Sequence, residues 1–343
     1  MYVINRALII PDPTGPIREI IQDTLRDYQA GRNLTNCSVV RWGREFVRRG
    51  GYFYGAEGLT GAEAEEKIQQ RLRNVIALYE SIRTQGYNGS EISIYFNKRG
   101  EAVLYDGYHR LAILDLLGLS PDLNCRVSTW DPNPEKRGDF PLREALAAIN
   151  SGPNTYNPVD DQRVSDYACW RPDSPRRLWA IIPHLTGDTV FDVGCSEGYF
   201  SRELAKRGLR VTANDLDERR LAVTRYLATI ANLRLEYAPG DWVEHLRSSG
   251  EDYDNVLLLS VIHHKMLTEG PKALDALQLL RGRCKRLFIE MPVKAADISW
   301  TEKKEAYAFD EGDLVKRLEE LTGLETREIW RGIRPLIILG APE

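Results

Sequence analysis

The apolar positions of this chain form short unbroken runs, separated by segments whose apolar residues return every three or four positions. In the C-terminal half the runs read as strands: Val190 to Val193, Leu209 to Asp215, Leu235 to the loop at Asp241, Asn255 to Ser260, and Arg286 to Pro292. A helix opens after the first run at Ser201. Another precedes it, running through Arg176 to Ile182, with Ser174 as cap and Pro175 at the first position. The pattern then predicts a helix from Asp310 to Leu321, and a closing hairpin of Glu325–Trp330 and Ile333–Leu339 about Arg331-Gly332. In the N-terminal half, Leu72, Val75, Ile76, Tyr79 and Ile82 share one helical face up to Gly86. A strand from Glu91 to Asn97, a turn at Lys98-Arg99-Gly100 and a strand from Ala102 to Tyr105 follow, then a helix from Leu111 to Leu117 ended by Gly118. Between the halves, from Trp130 to Arg176, lie two turn-rich stretches with one helix, Leu142 to Asn150. Three segments follow: a domain over residues 1–130, a linker over 131–165, and a domain over 166–343.

The first C-terminal strand runs into Asp192-Val193-Gly194-Cys195-Ser196-Glu197-Gly198-Tyr199, a turn between strand and helix. Gly194 and Gly198 allow close approach of backbone to a ligand, and the helix start supplies free N–H groups. A dinucleotide turn requires G-x-G-x-x-G, whereas the order here is D-x-G-x-x-x-G. The second strand ends in Asp215, whose acceptor-only carboxylate suits both hydroxyls of a ribose. The third leads to Asp241 and Trp242.

These motifs, in this order, resemble those of class I S-adenosylmethionine-dependent methyltransferases. The commoner family form has glycine where this chain has Ser196. The resemblance implies an α/β fold, a Rossmann-like seven-stranded sheet closed by an antiparallel hairpin. It also implies a cofactor site at Asp192, Gly194, Ser196, Gly198, Tyr199, Asp215, Asp241, Trp242 and Ser260. Asp215 would hold the ribose and Asp241 the adenine amino group, with Trp242 beside the ring.

Composition narrows the partners. Hydrophobic content of 43% and charged content of 28% are those of a soluble globular protein. A net charge of −4 argues against a general nucleic-acid binder, and no apolar run reaches membrane-spanning length. Residues Met1 to Pro11 lack the basic start and cleavage site of a signal peptide. Cysteines at 37, 125, 169, 195 and 284 form no C-x-x-C pair, the pattern of a reduced, cytoplasmic protein.

Asp106-Gly107-Tyr108-His109-Arg110 opens a helix in the N-terminal half. This box resembles the ParB/sulfiredoxin-like fold, implying an α+β domain that binds phosphate, or ATP or another nucleotide with Mg2+, at Asp106, Gly107, His109 and Arg110. A helix N-terminus beside His109 and Arg110 suits a phosphate cradle. The cluster Arg41, Arg44, Arg48 and Arg49 is read as a solvated face, with Glu45 a guess for a kinase base.

Methyl transfer to a hydroxyl requires a general base. His263 and His264 follow the fourth strand at the carboxyl edge of the sheet, and one of them is the candidate; Glu290, ending the fifth strand, is a weaker one. An N/D-P-P-Y/F motif, frequent in N-methyltransferases, is absent. Leu257 to His264 resembles the L-S-V-x-H-H stretch of bacterial methyltransferases that cap surface polysaccharides, one kind of which is fused to a kinase. The resemblance implies O-methylation of a saccharide or phosphorylated saccharide, in a pocket whose walls include Tyr199, Trp242 and Trp300. The alternatives are a nucleic-acid-modifying methyltransferase gripping its substrate through the ParB-like domain, and a cofactor sensor without an acceptor.

Overall fold

The computed structural model describes residues 1–11, 15–51, 53–56, 58–292, 311–331 and 334–340. They form two compact units, Met1–Phe140 and Pro141–Glu343. Trp300, Asp310, Gly332 and Ile333 lie outside the described residues.

In the first unit, β1 (Tyr2–Asn5), β2 (Ile9–Ile10), β3 (Ile92–Phe96), β4 (Ala102–Asp106) and β5 (Asp122–Val127) form one sheet in the order β1-β5-β3-β4-β2. β3 and β4 are the antiparallel pair expected about Lys98-Arg99-Gly100, with Phe96 opposite Ala102. The Asn97 side chain accepts from the N–H groups of Arg99 and Glu101 and fixes that turn. Four helices accompany the sheet: α1 (Ile17–Gln29), α2 (Ser38–Arg48), α3 (Gly61–Gln85) and α4 (Tyr108–Leu116). α3 begins well before the expected Leu72, because Ala64 and Ile68 continue its buried face at a spacing of four.

The second unit opens with α5 (Leu142–Ile149), and a two-stranded ladder of β6 (Asn154–Thr155) and β7 (Ala168–Cys169) follows. Residues 141–165, expected as linker, therefore belong to this unit. α6 (Ser174–Ile181) leads into β8 (Thr189–Val193), α7 (Tyr199–Ala205), β9 (Arg210–Asp215), α8 (Glu218–Ile230), β10 (Glu236–Pro239) and α9 (Trp242–Ser249). Then come β11 (Tyr253–Leu259), α10 (Ile262–Glu269), β12 (Cys284–Glu290), α11 (Glu311–Thr322), β13 (Thr326–Arg331) and β14 (Pro335–Gly340). The sheet order is β10-β9-β8-β11-β12-β14-β13, parallel throughout except for β14, which runs antiparallel to both neighbours. This is the seven-stranded sheet with a closing hairpin that the motifs imply.

Burial on both faces explains the unbroken apolar runs. Along β11, Val256 and Leu258 join a core with Leu246, Met266 and Leu318, whereas Leu257 and Leu259 join another with Leu178, Phe200 and Ala228. Strand order reverses between β8 and β11. At such a switch point, the carboxyl ends of parallel strands leave a crevice for a ligand.

Candidate active site

The turn from β8 to α7 contains three left-handed residues: Gly194 (φ +64°), Ser196 (φ +56°) and Gly198 (φ +69°). A Cβ on Gly194 would lie 2.5 Å from Val261 Cγ2, so only glycine lets the turn pass β11's exit. At Gly198 a Cβ would run into Thr224 of α8. Gly198 thus serves helix packing, not the approach to a ligand that its spacing suggests. Asp192 does not face the crevice either; its buried carboxylate accepts a 2.5 Å hydrogen bond from Ser201 Oγ and holds α7 from behind. Burial pushes its pKa up to about 7. Tyr199 packs edge-on against Phe200 beside the core instead of lining the crevice.

The other expected cofactor residues converge. Gly194, Ser196, Asp215, Asp241, Trp242 and Ser260 line one pocket of about 510 Å³, together with His264. That volume lies within the range for small-molecule sites. Asp215, 8% exposed, is oriented by the N–H groups of Ser196 and Asp217, each 3.0 Å from its carboxylate. Burial raises its pKa. Asp241 caps α9 through Val243 N at 2.7 Å, and its other oxygen lies 4.0 Å from Lys265 Nζ. Leu216, 77% exposed, adds an apolar surface next to Asp215 in the same wall. Two carboxylates with apolar neighbours Leu216 and Trp242 fit a nucleoside: an acceptor for a diol, an acceptor for an amino group, and flat surfaces for a base.

The three candidate bases separate. His264 lines the pocket and is exposed. Desolvation lowers its pKa, aided by the charges of Arg334 and Arg220, so it is neutral at pH 7. His263 is 2% exposed beneath it, ring centroids 4.2 Å apart, and burial pulls its pKa down to about 2. Glu290 is fully buried and does not line the pocket. Arg171 Nη2 at 2.7 Å and Arg177 Nη1 at 2.8 Å pair with it, and Ser260 Oγ donates to it at 3.0 Å. A carboxylate held by two guanidinium groups is a structural anchor, which corrects its reading as a base.

Sequence reasoning missed several contributors. Tyr156, Leu216, Arg220 and Lys265 line the pocket. Arg220 binds Ser196 Oγ at 2.6 Å and the carbonyl of Ile149 at 3.0 Å. Tyr156 lies in the turn-rich stretch, where no periodicity marks it.

In the first unit, Gly107 precedes α4 with φ +111°, and a Cβ there would meet Ile92 at 2.7 Å. His109 faces Arg71, whose Nη2 lies 2.6 Å from Nε2 and 2.9 Å from Nδ1. Burial, with Arg71 and Arg110, holds the His109 pKa down at about 3. Arg110 reaches the carbonyl of Glu91 at 2.5 Å, and exposed Asp106 lies 3.7 Å from it. Arg71 stacks 3.4 Å above the Tyr54 ring. Glu45 is paired with Arg48 and Arg49, and Arg44 with Glu65, while Arg41 bonds the Asn36 carbonyl and Ser38 Oγ, so the arginines of this face are exposed and locally partnered. Among the described residues no group of three or more His, Cys, Asp or Glu is placed to hold a metal ion, and no helix is long and apolar enough to cross a membrane.

Residues 190–281, from β8 past α10, match the family model described as a methyltransferase domain. The second unit carries a methyltransferase domain. The chain is 31% identical over 121 residues to a ubiquinone biosynthesis O-methyltransferase of Azoarcus sp., covering 32% of this chain and 52% of that protein. It is 32% identical over 94 residues to one of Aliivibrio fischeri, covering 26% and 40%. The chain thus spans about half, or less, of the length of the curated relatives it matches. Among solved structures it is similar to the bifunctional kinase-methyltransferase WbdD at 20% identity, covering 58% of this chain and 46% of that one with a TM-score of 0.48. It is also similar to a magnesium protoporphyrin IX methyltransferase from Synechocystis with bound SAM at 20% identity, covering 58% and 95% with a TM-score of 0.41.

Proposed function

We propose that the second unit is an S-adenosylmethionine-dependent O-methyltransferase with His264 as its general base. The observation that carries this reading is the convergence of Asp215, Asp241 and His264 on one pocket at the strand switch point. When bound, the cofactor supplies an electrophilic methyl group. Asp215 and Asp241 would hold its ribose and adenine beside Leu216 and Trp242, and Gly194 and Ser196 shape the turn that borders the pocket. Neutral His264 takes the proton from the acceptor hydroxyl. His263, buried under it, supports the ring.

The acceptor class we propose is a saccharide or phosphorylated saccharide, on the L-S-V-x-H-H resemblance of Leu257 to His264. The curated relatives, O-methyltransferases by name, support the reaction type. His264→Ala is expected to leave cofactor affinity unchanged and to lower kcat by about a hundredfold or more. Full activity in that variant removes His264 from the mechanism.

For the first unit we propose phosphate or nucleotide binding about Arg71, His109 and Arg110, supported by the contact of Arg71 with His109 beside the start of α4. Titration with ATP, ADP and CTP in the presence of Mg2+ tests it. Binding lost in Arg71→Ala supports the site, and no binding to the intact protein removes it.

A further inference from the structure

The cofactor turn has a partner outside the segment matched by the methyltransferase model. Glu197 follows Ser196 and is fully buried. Its carboxylate accepts four hydrogen bonds, three of them from residues upstream of the domain match: Asn150 Nδ2 at 2.8 Å, Tyr156 N at 2.8 Å and Asn157 N at 3.2 Å. The fourth comes from Ser196 Oγ at 2.8 Å. A carboxylate accepting backbone N–H groups in a buried setting fixes those groups firmly, because breaking any one leaves a polar atom dry. The residues fixed are those that carry Tyr156 into the pocket wall.

The same segment is held from its other side. Asn157 Oδ1 accepts from Ser174 Oγ at 2.8 Å and Arg177 Nη2 at 3.3 Å, and Arg177 pairs with Glu290, which accepts from Ser260 Oγ. A continuous buried chain therefore joins Ser196 to Ser260. Both serines line the pocket, and both hold left-handed backbone (φ +56° and +63°), a conformation that non-glycine residues keep only when their surroundings enforce it. Arg220 adds a second tie, from Ser196 Oγ to the carbonyl of Ile149.

We propose that Tyr156 is a cofactor-binding residue and that Glu197 is its positioning residue, so that residues 150–157 form one wall of the S-adenosylmethionine site. This inference rests on the methyltransferase reading above. It predicts that cofactor affinity depends on a tyrosine more than thirty positions before the first motif, a dependence absent if that segment only completes the core.

The test is calorimetric titration of the full-length protein with S-adenosylhomocysteine, with hydrogen exchange read at residues 154–157. Tyr156→Ala is expected to weaken binding about tenfold, and Tyr156→Phe, which keeps the ring, to stay within about twofold of the unaltered protein. Glu197→Gln is expected to lose exchange protection at the Tyr156 and Asn157 amides and to weaken binding in parallel, with protection of β11 retained. Ligand should slow exchange at Tyr156 in the unaltered protein. Undiminished affinity in Tyr156→Ala overturns the inference, as does ligand binding that leaves exchange at 154–157 unchanged. An unaltered protein that does not bind S-adenosylhomocysteine at all overturns the methyltransferase reading itself.

Discussion

At the scale of single residues, environment separates groups of similar chemistry. Two adjacent histidines differ because one is buried under the other: His263 is held near pKa 2, while His264 meets the pocket. The His264 pKa is lowered from 6.5 by desolvation first and by Arg334 and Arg220 second. A base acts when neutral, so a lowered pKa carries the active form further toward acid. The acid limb of the methyl-transfer rate should therefore be centred below pH 6.5, and it should be absent in the residual activity of His264→Ala. An acid limb centred above 6.5 in the kcat profile would contradict this assignment. Asp215, Asp241, Ser260 and His264 were legible because each follows a strand at the edge where ligands bind. Glu290 follows a strand too, but the two arginines that neutralise it come from 119 and 113 positions away in the chain. No local pattern announces that pairing.

Among elements, the β8–α7 turn shows how one motif divides its work. Gly194 borders the pocket, Gly198 lets α7 pack on Thr224, and Asp192 holds Ser201. Gly198→Ala should destabilise the protein by about 1–3 kcal/mol, since it adds a Cβ against Thr224 and forces alanine into a left-handed conformation. Thermal unfolding should show partial recovery when Thr224→Ser is added, because that removes the methyl group but not the backbone strain. No recovery would mean that the backbone alone sets the cost, and no initial loss would refute the packing role. The strands themselves were readable as apolar runs, since both faces of the sheet are covered. The start of α3 was not, because charged residues at its first turns dilute the stripe that Ala64 and Ile68 continue.

For the whole molecule, the Rossmann-like sheet of the second unit could be read from the sequence, whereas the extent of that unit could not. Residues 141–165 look like linker because they are rich in turns, yet Asn150, Tyr156 and Asn157 are tied by hydrogen bonds to the cofactor turn. Turn composition reports local conformation and says nothing of a buried carboxylate forty positions away. On the proposed reading, the pocket is a cofactor site built around Asp215. Calorimetric titration of the intact protein with S-adenosylmethionine, repeated on Asp215→Ala, tests this most directly. One molecule bound per chain, with binding lost or weakened by about a hundredfold in the variant, is the predicted result. Absence of binding to the unaltered protein, or equal affinity in Asp215→Ala, would contradict it.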